Sequence, residues 1–247
     1  MEALVLREDR DGLARLTLNR PDKLNALSME LFVELGAHVA AIEADPTARA
    51  VLLKGAGKCF SAGHDLGGIA EGEGHEQPNF QAQVIERLAN LPLPVIVGVH
   101  GHCYTGGLEL ALAGDIIVAA RSARFADTHA RFSLVPVWGL SVRLPRRVGT
   151  YRAREMMFTC RTYCGEEAAA MGLANLCVAD DDYEAALADV AQQVLAQSSH
   201  SHRANKRLLI ETDGLPLGAS LAHEIYNGAG RGPDMQDRIA AFRNRKR

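Results

Sequence analysis

Three short apolar runs constrain what this chain can fold into more than any other feature. AVLLK at 50–54, VIVGV at 95–99 and IIVAA at 116–120 show no polar alternation. A strand with one wet face alternates, whereas a strand covered on both faces does not. Helical patterning separates the runs. Ser28 precedes Leu31, Leu35, Val39 and Ile42 along one stripe, and Phe80, Val84, Leu88 and Leu91 repeat that spacing. Ser28 reads as the cap of the first helix and Asp45-Pro46 as its stop. Strand, helix and strand in this order predict an α/β core with parallel strands. Upstream, 3–7 and 13–18 read as two strands joined by a turn ending in Asp11-Gly12. NRPDKLNALS and the glycine-containing segment 55–74 read as irregular. Downstream, helices are expected near 150–159, 165–171 and 182–197. From Ser198 onward the pattern is helical and polar, with breaks at Gly214, Pro216 and Gly232-Pro233. The expected division is an α/β core over 1–197 and a helical region over 198–247.

Composition excludes several functions. Apolar residues are 47% of the 247, enough for a sizeable core and too many for a disordered chain. A net charge of −3 gives no basic field for nucleic acid or anionic membrane, and 5% aromatic residues are too few for a base-stacking platform. The five cysteines are odd in number and form no C-x-x-C, which argues against a disulfide framework and for a reducing compartment. The first residues carry no charged-then-apolar signal pattern, so a cytoplasmic location is expected. Residues 88–108 lack Asp, Glu, Lys and Arg, but two prolines, four glycines and two histidines break them as a membrane span. They read as a buried strand entering a glycine turn. The terminal RNRKR reads as a solvated helix end.

Two glycine-bearing segments follow predicted strands: CFSAGHDLGGI at 59–69 and HGHCYTGGLELALAGDI at 100–116. Turns at strand ends are where open α/β folds bind ligands, and glycine admits a ligand close to backbone N–H groups. Two such turns can aim two N–H groups at one developing oxyanion. Neither segment is a dinucleotide or P-loop fingerprint. Glu109, three residues beyond Gly106, sits in the apolar run LELALA. Burial raises a carboxyl pKa toward neutrality, as proton exchange requires. A structural ion pair or an exposed edge is the alternative reading of Glu109. His100, His102 and His64 lack any accepted metal-ligand spacing. Asp115 reads as a turn or cap residue, and Trp138 and Phe132 as core or pocket wall.

Taken in order, NRPDKLNALS, FSAGHDL and GGLELALAGDI resemble the crotonase superfamily of enoyl-CoA hydratases and isomerases. SVRLPRRVG, FTCRTYCGEEAAAMGLAN and the helical tail extend the resemblance over nearly the whole chain. It implies a spiral of ββα units with a C-terminal helical trimerisation region, assembled as a homotrimer or a dimer of trimers. It also implies an acyl-CoA thioester substrate, no cofactor beyond the coenzyme A of that substrate, and no metal. By the same resemblance the backbone N–H groups of His64 and Gly106 form the oxyanion hole. Lys23, Leu24, Ala26, Ala62, Asp65 and Leu66 surround the CoA, Gly107 and Val137 touch substrate, and Glu109 is one of two acid–base glutamates. The segment 67–79 lines the acyl pocket in relatives.

The sequence departs from the hydratase pattern at one point. The second glutamate falls, with no gap and twenty residues after Glu109, on His129, and the usual glycine after Pro136 is Val137. Asp127 stands two residues before His129. The leading expectation is a hydratase-like lyase that adds water to a 2-enoyl-CoA with Glu109 as base. The alternatives are an isomerase, decarboxylase or hydrolase on the same site, in which His129 serves as acid or base. Further off stand a non-catalytic acyl-CoA binder and a metal hydrolase using His100, His102 and His64.

Overall fold

The computed structural model describes residues 2–72 and 75–245. Six strands form the larger sheet, in the order β1 (Val5–Arg10), β2 (Leu13–Leu18), β3 (Ala50–Gly55), β4 (Val95–Val99), β6 (Ile116–Ala120) and β9 (Leu176–Val178). β1 and β2 are an antiparallel hairpin, and every later neighbour is parallel. Asp11 and Gly12 turn the hairpin with positive φ. β1 runs three residues further than its apolar pattern predicts, because pairing with β2 carries the polar stretch REDR into the ladder.

Burial explains the unalternating runs. Val51, Leu53, Val95, Val97, Val99, Ile117 and Ala119 face one hydrophobic cluster with α1 (Met29–Ala44) and α3 (Phe80–Ala89). Leu52, Ile96, Val118 and Ala120 face a second cluster, closed by Tyr183, Leu187 and Ala191 of α8 (Tyr183–Leu195). Each such aliphatic side chain contributes about 1.5–3 kcal/mol when removed from water, so the central strands are driven to the middle of the molecule. Ser28 caps α1 through its Oγ, which accepts from Leu31 N at 3.4 Å.

A second, three-stranded sheet was not anticipated. It joins β5 (His102–Tyr104), β7 (Arg124–Ala126) and β8 (Tyr163–Cys164). The chain therefore climbs in repeated turns: β4, β5 and α4 (Gly106–Ala111), then β6, β7 and a 3-10 turn over His129–Phe132. Two helices also escape the sequence patterning. Leu66–Glu71 forms α2 inside the segment expected to be irregular, and Leu140–Val148 forms α5 despite Pro145. Helices α6 (Thr150–Thr159) and α7 (Gly165–Ala170) fall where expected. The tail folds as α9 (Ser199–Thr212), α10 (Leu217–Asn227) and α11 (Met235–Arg245), broken at the predicted glycines and prolines. Glu73 and Gly74 of the 67–79 segment, and Lys246 and Arg247 of the RNRKR end, lie outside the described residues. Residues 88–108 are distributed over α3, β4, β5 and α4, and no described helix is long and apolar enough to cross a membrane.

The tail is pinned by Lys206 of α9. Its ammonium, 7% exposed, donates to Leu93 O at 2.9 Å and Asp115 Oδ2 at 2.7 Å. Asp115 also accepts from Val95 N, so the expected turn residue is the anchor between sheet and tail. Burial lowers the Lys206 pKa below its ordinary value, against the upward pull of Asp115.

Candidate active site

Two loops meet where β3 and β4 end. The segment 59–61 lies alongside 100–104: Phe60 N donates to His100 O, Ser61 N to His102 O, and Tyr104 N to Ser61 O. On its other side the loop is held by 24–27, with Ala62 N donating to Leu24 O, Leu27 N to Gly63 O and Asp65 N to Leu27 O. Asn25 organises this clamp. It is fully buried with φ 52°, its amide donates to Ala56 O and Cys59 O, and its Oδ1 accepts from Arg20 N. The NRPDKLNALS stretch is thus a brace for the His64 loop, and Asn25 is the residue the sequence reading did not single out. Its signal was an Asn in a segment without periodicity, the residue type that tolerates positive φ.

The clamp brings His64 and Gly106 together. A Cβ on Gly106 would lie 3.1 Å from His64 N and 2.6 Å from Trp138 Cζ3, so only glycine fits there. Gly63, with φ 106°, would place a Cβ 2.8 Å from Tyr104 O. As first residue of α4, Gly106 has an N–H without an intrahelical acceptor. Thr105 ties this helix start to the next turn of the spiral: its N donates to Ala126 O, and its hydroxyl bonds Thr128.

A cavity of about 550 Å³ opens at this junction. Ala62, His64, Leu66 and Gly106 line it from the loops, with Glu109, His129 and Val137 opposite. Glu109 is 2% exposed. Its Oε1 accepts from Trp138 N at 2.9 Å and Leu140 N at 3.2 Å. Burial lifts its pKa above the ordinary carboxyl value, and these N–H bonds only partly offset the lift. Its Oε2 stands 3.8 Å from His129 Nε2. On the far side of the ring, Asp127 Oδ1 meets His129 Nδ1 at 2.6 Å and accepts from His129 N at 3.0 Å. A carboxyl, an imidazole and a second carboxyl therefore stand in line.

Other predicted site residues fall outside this cavity. Lys23 and Leu24 are exposed, and Ala26 is half-buried beside the loop they brace. Asp65 pairs with Arg20 at 3.0 Å, and against the upward push of burial that guanidinium and the Gly67 N–H hold its carboxyl below the usual range. Gly107 packs on Ser61. Trp138, 5% exposed, and Phe132 are pocket wall, as expected. Trp138 and His64 also wall a second cavity of about 440 Å³, reached by His75 and Phe80. His100 bonds Gly57 O and His102 leans on Tyr104; among the described residues no three His, Cys, Asp or Glu side chains gather to hold a metal.

The family model for Enoyl-CoA hydratase/isomerase matches residues 8–227. The chain is 33% identical to 1,2-epoxyphenylacetyl-CoA isomerase of Escherichia coli (strain K12), over 98% of this chain and 96% of the relative. It is 36% identical to a probable enoyl-CoA hydratase of Rhodobacter capsulatus, over 95% and 93%. A crystal structure of enoyl-CoA hydratase from Bacillus anthracis superposes with a TM-score of 0.90 at 30% identity, covering 98% of this chain and 96% of that one. The spiral of strand–strand–helix turns is thus a crotonase fold. The chain belongs to the enoyl-CoA hydratase/isomerase family of the crotonase superfamily.

Proposed function

We propose that this protein is an enoyl-CoA hydratase-like lyase, adding water across the double bond of a 2-enoyl-CoA. The observation that carries the reading is the convergence of Glu109 Oε2 and His129 Nε2, 3.8 Å apart, on the cavity that His64 and Gly106 also line. Two groups able to hold and pass protons face a wall where two main-chain amides lie side by side. The thioester carbonyl oxygen sits on the His64 and Gly106 N–H groups. Charge that develops there as water attacks Cβ is met by donors already in place, which is where such sites gain most of their rate. Coenzyme A runs over Ala62, Leu66, Lys23, Leu24 and Ala26, with Asp65 holding the loop, while Gly107 and Val137 shape the acyl end. All proton transfers belong to side chains, so no group beyond the substrate's coenzyme A takes part. The exposed apolar residues Leu217, Leu221 and Ile225 of α10, four residues apart, support a homotrimer or dimer of trimers built on the tail.

A second reading is double-bond isomerisation on the same site. Membership of a family that spans enoyl-CoA hydratases and isomerases favours it, as does a Glu109–His129 separation short enough to hand a proton along an acyl chain. Incubation with 2-enoyl-, 3-enoyl-, malonyl-type and β-keto-CoA thioesters separates the two. A 3-hydroxyacyl product from a 2-enoyl-CoA, lost by about 10³-fold or more in Glu109→Gln, is the expected result. Conversion of 3-enoyl-CoA alone selects the isomerase.

A further inference from the structure

We propose that Asp127 is a positioning residue that locks His129 with its Nε2 lone pair toward Glu109, making His129 the base and Glu109 the acid. The proposal deepens the acyl-CoA reading and rests on it for substrate. It also reverses the role expected for Glu109 from the sequence. Asp127 is 1% exposed, and among the described residues the hydrogen bonds to its carboxyl both come from His129. An ionised carboxylate only accepts, so a 2.6 Å contact to Nδ1 puts the proton on Nδ1. In the neutral ring Nε2 then carries the lone pair. Glu109 is arranged in the complementary sense: two backbone N–H groups occupy Oε1, which leaves Oε2 as the oxygen that carries a proton. At 3.8 Å the Nε2 and Oε2 atoms are too far apart to bond each other, so each is available to a third atom in the cavity.

The step balances on these groups. Water gives a proton to His129 Nε2 as its oxygen bonds Cβ. The π electrons of the Cα–Cβ bond pass into the thioester enolate. Cα then takes the proton of Glu109 Oε2 as the enolate electrons return. The proton on Nε2 passes to Oε2 after release, restoring both groups. The charged or titratable side chains that share this cavity with His129 are Glu109 from α4, Tyr104 from β5, Arg131 from its own turn and His64 from the facing loop; Asp127 lies behind the ring.

The test reads the tautomer first. In 15N-histidine-labelled wild type, with the His129 signals assigned by comparison with His129→Gln, the neutral ring should show a protonated Nδ1 and a bare Nε2. Asp127→Asn should lose that pattern and lower kcat by about 10²–10⁴-fold with KM little changed. A wild-type ring protonated on Nε2, or an Asp127→Asn enzyme with kcat intact, overturns the proposal. If the variant does not fold, the wild-type spectrum still decides the tautomer. The expected tautomer in a protein that turns over no thioester would remove the acyl-CoA reading while upholding the lock itself.

Discussion

Glu109 shows how function and stability pull apart at one residue. Its folded pKa lies above the ordinary carboxyl value of 4.5, burial being the leading cause. A carboxyl harder to ionise in the folded state destabilises the fold as pH rises through the window that opens near 4.5. The effect is absent below that value and levels off above the folded pKa. Glutamine keeps an oxygen for the Trp138 and Leu140 N–H groups and removes the ionisation. Glu109→Gln is therefore expected to match wild type in stability near pH 4 and to exceed it as pH rises above 4.5 until the difference levels off, as urea denaturation across pH would measure. The same substitution abolishes turnover in the proposed mechanism. A buried carboxyl that costs stability at working pH fits the acid–base role proposed for it.

In the proposed mechanism the working element is the α4 start together with the loop zipped beside it. Gly106→Ala would press a methyl group against Trp138 and His64 N. We expect kcat to fall by about 10²–10³-fold, the loss typical of one oxyanion donor, while circular dichroism stays that of wild type. Much at this scale was legible in the sequence. The unalternating runs, the Ser28 cap and the glycine turns at strand ends follow from local rules, and the buried position of Glu109 follows from its apolar neighbours. What escaped was short or non-local. β5, β7 and β8 have two or three residues each, too few to show a period. Pro145 sits inside α5, where a sequence rule ends a helix. Asn25 acts through contacts more than thirty residues away, and Asp127 acquires meaning only when its partner's ring is seen beside it.

At the scale of the molecule, the tail exposes large apolar side chains. Leu217 is 76% exposed and Ile225 70%, and Leu209 of α9 is 74% exposed. Such a stripe on α10, which packs on α9, is the surface on which the proposed assembly rests. If the proposed trimer or dimer of trimers is built on this face, changing Leu221→Glu and Ile225→Lys together is expected to convert the sedimenting species to a monomer, with the far-ultraviolet spectrum unchanged. An unaltered sedimentation coefficient would place the subunit contact elsewhere. One further consequence comes from Trp138. Its main-chain N–H donates to the Glu109 carboxyl, and together with His64 and Val137 it lines both cavities. In the proposed mechanism an acyl tail wide enough to shoulder Trp138 aside would tug on the proton carrier, so the girth of the bound chain would register in the alignment of the acid.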